Sequence, residues 1–163
     1  MALPRHGTGV EVGVWKGDFS AMLLRLNRPE SLFLVDPWAH ADGYERAMYG
    51  RRAQPVMDEI YESVVQRFAG RQQVVVRRES SSDAVANLGQ LDWAYIDGDH
   101  TYEAVKADLE AYGRLVRPGG VMAGDDYAGK AWWNGGVRQA VQEYGEAVGC
   151  PAQIFGNQFL FRL

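Results

Sequence analysis

Apolar and polar positions fall in short blocks along the chain, and the period of the pattern changes from block to block. Val10-Glu11-Val12-Gly13-Val14 reads as a short strand. After Lys16-Gly17-Asp18, the residues Phe19, Met22, Leu23 and Leu26 recur at helical spacing, and Asn27 and Pro29 stop that helix. Ser31-Leu32-Phe33-Leu34-Val35 is a near-continuous apolar run closed by Asp36-Pro37, the pattern of a strand buried on both faces. Residues 38–54 are polar with interspersed glycine and alanine and read as a loop. Val56, Ile60, Val64 and Phe68 then repeat every four residues and predict a helix ending at Gly70.

Gln73-Val74-Val75-Val76-Arg77 predicts a third strand. Ser80-Ser81-Ser82-Asp83 offers N-caps for a short helix through Leu88. Leu91-Asp92-Trp93-Ala94-Tyr95-Ile96 is a fourth strand, followed by a long helix with Tyr102, Val105, Leu109, Tyr112 and Val116 on one face. Pro118-Gly119-Gly120 ends it, Gly120-Val121-Met122-Ala123-Gly124 forms a fifth strand, and residues 136–148 form another helix. The chain then changes character. Ala152-Gln153-Ile154-Phe155 and Gln158-Phe159-Leu160-Phe161 flank Gly156-Asn157, a two-residue connection that suits a tight hairpin. Five strand–helix alternations predict an α/β fold, a parallel sheet with helices on both faces, and the hairpin adds an antiparallel strand.

Composition narrows the function classes. The chain has 163 residues, about one domain, and is treated as a single unit over 1–163. A chain of this size buries roughly 70% of its unfolded surface and needs no staple. Its net charge of −4 argues against nucleic-acid or anionic-membrane partners, which require a basic excess. A single cysteine, Cys150, allows neither an internal disulfide nor a zinc cluster. No apolar run is long enough to span a membrane and the first residues lack a signal-peptide core, so the expected compartment is the cytoplasm.

The chemistry collects where strands end. In open α/β sheets ligands bind at the carboxyl ends of the strands. The first strand ends in Glu11-Val12-Gly13-Val14-Trp15-Lys16-Gly17. Gly13 and Gly17 allow a sharp turn, but bulky Trp15 and acidic Glu11 suit a pyrophosphate poorly and a cofactor with a cationic amino-acid end better. Asp36, at the end of the second strand, stands where an acid accepts hydrogen bonds from ribose hydroxyls. Ser81 and Ser82 lie where an adenine edge would rest, or else cap a helix. Tyr95-Ile96-Asp97-Gly98-Asp99-His100 and Gly124-Asp125-Asp126-Tyr127 end two adjacent strands. Asp97, Asp125 and Asp126 would repel one another, and a hard divalent cation removes that cost, magnesium first, then calcium or manganese. His100, three residues after Asp97, is the candidate general base, and Asp97 the other catalytic candidate. Trp132 or Trp133 could line a substrate pocket, with core packing or a subunit interface equally open.

The segments EVGVWKGDFS, VDPW, YIDGDHTYEAVKADL and LVRPGGVMAGDDY, in this order, resemble class I S-adenosylmethionine-dependent methyltransferases. Within them the chain is similar to the macrocin O-methyltransferase-like branch, related to metal-dependent catechol and caffeoyl-CoA O-methyltransferases. The resemblance spans about residues 8–163. It implies a Rossmann-like, seven-stranded sheet of order 3-2-1-4-5-7-6 with strand seven antiparallel. It also implies S-adenosylmethionine on Glu11, Gly13, Gly17 and Asp36, magnesium on Asp97, Asp125 and Asp126, and His100 as base. The expected reaction is methyl transfer to a hydroxyl of a small molecule or natural product. Relatives carry lid helices before the first strand. Here that strand starts near residue 8, so the lid is expected to be absent, the acceptor site open or completed in a homodimer. A nicotinamide-dependent reductase and a non-catalytic cofactor-binding paralogue are the alternatives. The reductase would show G-x-G-x-x-G, which the first loop lacks.

Overall fold

The computed structural model describes residues 3–40, 53–129 and 134–163. Trp132 and Trp133 lie outside them, as does most of the loop expected over 38–54. The elements run β1 (Thr8–Val12), α1 (Asp18–Leu26), β2 (Ser31–Val35), α2 (Gln54–Phe68), β3 (Val74–Arg77), α3 (Ser81–Val85), β4 (Leu91–Ile96), α4 (Tyr102–Gly113), β5 (Val116–Gly124), α5 (Gly136–Val148), β6 (Gln153–Phe155) and β7 (Gln158–Arg162). They build one seven-stranded sheet of order β3-β2-β1-β4-β5-β7-β6. The pairings from β3 through β5 are parallel, and β7 runs antiparallel to both β5 and β6.

Several boundaries move for local reasons. β1 spans Thr8–Val12 rather than 10–14, because Gly13 turns to φ 88 and leaves the strand. β5 starts at Val116 rather than Gly120, with a register irregularity opposite Leu91/Trp93 that accommodates Pro118 away from the ladder. α3 stops at Val85, short of Leu88, and α4 stops at Gly113.

Strand alternation divides the core in two. On one face Val10, Val12, Ala94, Ile96 and Met122 pack with Val105, Leu109 and Tyr112 of α4 and Val137, Ala140 and Val141 of α5. On the other, Leu32, Leu34, Trp93 and Tyr95 pack with Leu23 of α1 and Met57, Ile60, Val64 and Phe68 of α2. Each large apolar side chain so buried stabilises the fold by about 1.5–3 kcal/mol. The same alternation sets the fate of Glu11. It lies between Val10 and Val12 in β1, level with Leu34 and Tyr95 on the neighbouring strands, so its carboxyl enters the α1–α2 side of the core. The parallel register brings the ends of β1, β2, β4 and β5 to one edge of the sheet.

Candidate active site

The first loop is built by its own backbone. The Gly13 N–H donates to the Val35 carbonyl (2.9 Å) and the Asp97 N–H to the Val12 carbonyl (2.7 Å), so β1, β2 and β4 are stitched just where they end. A β-carbon on Gly13 would overlap the Asp97 carbonyl oxygen, and its φ of 88° is one that side chains resist. Gly17, at φ 75°, caps α1, and a side chain there would press on the Phe68 ring.

Glu11 is 1% exposed. Burial pushes its carboxyl up to about 8, against an opposite pull from the Ser20 hydroxyl, and the charges of Asp97 and Asp36 add to the rise. Its Oε2 is buried with no hydrogen-bond partner among the described residues. An enclosed acceptor atom of this kind is an anomaly that a bound donor would resolve.

Asp36 departs from a simple ribose-binding acid. Its Oδ2 accepts from the N–H groups of Val14 and Trp15, both at 3.0 Å, and its Oδ1 from the N–H of Trp38 at 2.7 Å. Burial still raises its pKa against those three bonds. The carboxylate therefore braces the Gly13–Gly17 loop, and only part of its accepting capacity is left for a ligand. Trp38, which sequence reasoning passed over, is fully buried and donates its indole N–H to the Trp15 carbonyl at 2.8 Å. Trp15 (φ 55°) and Trp38 (φ 40°) both sit in the left-handed region, the kind of local strain that clusters at functional sites.

The serines after β3 bond to the surrounding chain. Ser80, rather than Ser81 or Ser82, caps α3, accepting from the Asp83 N–H at 3.2 Å. The Ser81 hydroxyl donates to Asp108 on α4, and its carbonyl accepts from the Tyr112 hydroxyl at 3.0 Å. Ser81 thus joins two helices, while Ser82 is hydrogen-bonded to Ser80 at 3.0 Å. Asp108 is buried on α4, and burial lifts its carboxyl to about 6.

At the other end of the edge, His100 Nε2 lies 3.4 Å from Asp97 Oδ1 and 3.3 Å from Asp126 Oδ2. Ligand atoms of these three residues all fall within 4.8 Å of one another, a spacing that can hold a metal ion. Asp125 is not one of these three. Its Oδ1 accepts the Asp126 N–H at 2.8 Å, and Asp126 at φ 61° swings its own carboxyl toward His100. Consecutive residues leaving a strand diverge, so one aspartate closes the turn while the other joins the cluster. Burial raises the Asp97 pKa, with His100 opposing and Asp125 and Asp126 adding. For His100, burial acts to lower the pKa, and Asp97, Asp126 and Asp99 outweigh it, for a net rise.

Beside the cluster, Phe19 packs on Tyr95 with ring centroids 4.4 Å apart, and Gln158 donates to the Tyr95 hydroxyl at 2.8 Å. Asn157 of the β6–β7 turn donates from Nδ2 to Asp126 Oδ1 at 2.9 Å. Sequence reasoning saw Asn157 only as a turn residue. The available signal was topological: an antiparallel β7 beside β5 carries the β6–β7 turn to the ligand edge.

A family described as methyltransferase domain matches residues 10–127. The chain belongs to this methyltransferase family. It has the class I, S-adenosylmethionine-dependent architecture, and the choice against a nicotinamide-dependent reductase follows. An uncharacterised protein of Acanthamoeba polyphaga mimivirus is 28% identical over 130 residues, 77% of this chain and 53% of that protein. The chain thus spans about half the length of that curated relative. Cofactor-bound Rv0187 from MTB superimposes with a TM-score of 0.69 at 21% identity, over 95% of this chain and 72% of that one. The O-methyltransferase NovP does so with a TM-score of 0.66 at 20% identity, over 96% and 71%. Among the described residues no helix is long and apolar enough to cross a membrane.

Proposed function

We propose that this methyltransferase acts on a hydroxyl oxygen of a small-molecule acceptor and uses a hard divalent cation, magnesium first, at the acidic end of the edge. The observation that carries the reading is the convergence of Asp97, His100 and Asp126 at the ends of β4 and β5, directly against the Gly13 loop. Glu11, with an unmet buried oxygen, is the group for the cationic amino end of S-adenosylmethionine. Gly13 and Gly17 shape the cradle, and Asp36 braces it while keeping some accepting capacity for ribose. Asp97 and Asp126 would hold the cation, with Asp125 supporting from the turn. When bound, S-adenosylmethionine supplies an electrophilic methyl group and the cation a Lewis acid that lowers the acceptor's pKa.

The chain itself contributes position and proton handling. His100 is the group we assign to accept the hydroxyl proton, and the flanking carboxylates would stabilise the resulting imidazolium. The net charge of −4 favours a small acceptor over a nucleic acid.

The test is S-adenosylhomocysteine release from S-adenosylmethionine with catechol and sugar-hydroxyl acceptors, with and without chelator. Transfer that stops with chelator and returns with magnesium is expected. Transfer indifferent to chelator removes the cation from the reading. Cofactor binding with no transfer to any acceptor favours a non-catalytic binding role instead.

A further inference from the structure

The geometry points to Asn157, on the β6–β7 hairpin, as the positioning residue that sets the Asp126 carboxylate for cation binding. The inference rests on the cation reading above and adds to it a residue from the far end of the chain.

Three hydrogen bonds tie Asn157 to the segment after β5. Its Nδ2 donates to Asp126 Oδ1 at 2.9 Å. Its Oδ1 accepts from the Ala128 N–H at 2.9 Å. Its carbonyl accepts from the Tyr127 N–H at 2.8 Å. Asp126 stands at φ 61°, in the left-handed region that aspartate tolerates better than most non-glycine residues. With Oδ1 held by Asn157, Oδ2 is the oxygen left facing His100, 3.3 Å away. Thus the hairpin selects which carboxylate oxygen enters the cluster.

The residue type follows from the same bonds. The position requires a donor toward a carboxylate and an acceptor toward a backbone N–H from one short side chain. Asparagine supplies both, whereas aspartate would replace the donor with a second negative charge. Gly156 at φ 66° makes the tight turn that delivers it. Partners that orient a metal-binding carboxylate from behind typically affect metal affinity 10–100-fold.

The experiment is direct Mn²⁺ titration followed by electron paramagnetic resonance on the native chain, Asn157→Gly and Asn157→Ala. The glycine variant keeps the turn and removes only the side chain. The expected result is a roughly tenfold loss of Mn²⁺ affinity and an altered bound-ion spectrum. Affinity for S-adenosylhomocysteine and the melting temperature of Asn157→Gly should stay near native. Native Mn²⁺ affinity and spectrum in Asn157→Gly would overturn the role of Asn157 alone. A parallel loss of S-adenosylhomocysteine affinity would also overturn it, by showing general damage to the edge. No Mn²⁺ binding by the native chain would overturn the cation reading itself, and the role of Asn157 with it.

Discussion

At the ends of β1 and β2, Glu11 is buried and Asp36 is held by the N–H groups of its own chain, whereas Asp97 and Asp126, at the ends of β4 and β5, face His100. The side chains are alike and the solutions opposite. Asp36 is held by three backbone N–H groups, and Glu11 is desolvated enough to favour its neutral form. Asp97 and Asp126 keep side-chain exposures of 34% and 26% and share one imidazole. The first region is organised before any ligand arrives. The second concentrates charge that a ligand can use. Stability and activity should therefore separate between the two.

The largest loss of stability is expected at the first region's backbone. Gly13→Ala forces a β-carbon against the Asp97 carbonyl at a positive φ, and should cost about 3 kcal/mol or more in urea denaturation. Asp36→Ala comes next. It leaves three N–H groups without their acceptor and should cost about 2–3 kcal/mol while weakening S-adenosylhomocysteine binding. A negligible effect would mean that the loop does not depend on this brace.

Glu11 gives a pH test. Its folded pKa, about 8, lies above the ordinary 4.5, so the folded state holds the extra proton between those values. Its contribution is therefore present below pH 4.5 and is lost as pH rises through 8. Glu11→Gln should flatten that fall, gaining about 3–4 kcal/mol relative to the native chain at pH 8 compared with pH 5. If Glu11 meets the cationic end of S-adenosylmethionine, binding near pH 7 should also release a proton, visible by calorimetry in buffers of different ionisation enthalpy. Absence of proton release would separate Glu11 from that ligand.

The smallest stability effect is expected at the acidic end. Asp126→Asn removes one of several like charges and should change stability by less than about 1 kcal/mol, while chelator-sensitive methyl transfer falls at least about 100-fold. A large stability loss there would erase the contrast between the two regions.

Much of this was legible in the residues. Short apolar runs separated by helical repeats implied the α/β alternation, and Gly156-Asn157 implied the hairpin. The strand ends at Asp36, Asp97 and Gly124 marked one edge of the sheet, since parallel strands place their carboxyl ends together. Less legible were the directions of individual side chains. Asp125 and Asp126 are adjacent, yet one accepts its neighbour's N–H and the other meets His100. The bond from Ser81 to Asp108, 27 residues away in sequence, had no local signal either.

By itself, then, the sequence determined the order of elements and which acids stand at the edge of the sheet. Those facts follow from local periodicity and turn chemistry. Only the tertiary structure decided which oxygen of Asp126 faces His100, that Asp36 braces a loop, and that Asn157 reaches the cluster from the far end of the chain. Each of these depends on one or two loop dihedrals and on partners distant in sequence, as Val14 is from Asp36 by 22 residues and Asn157 from Asp126 by 31. No local pattern encodes such pairings, because only the closed sheet brings those residues within hydrogen-bond distance.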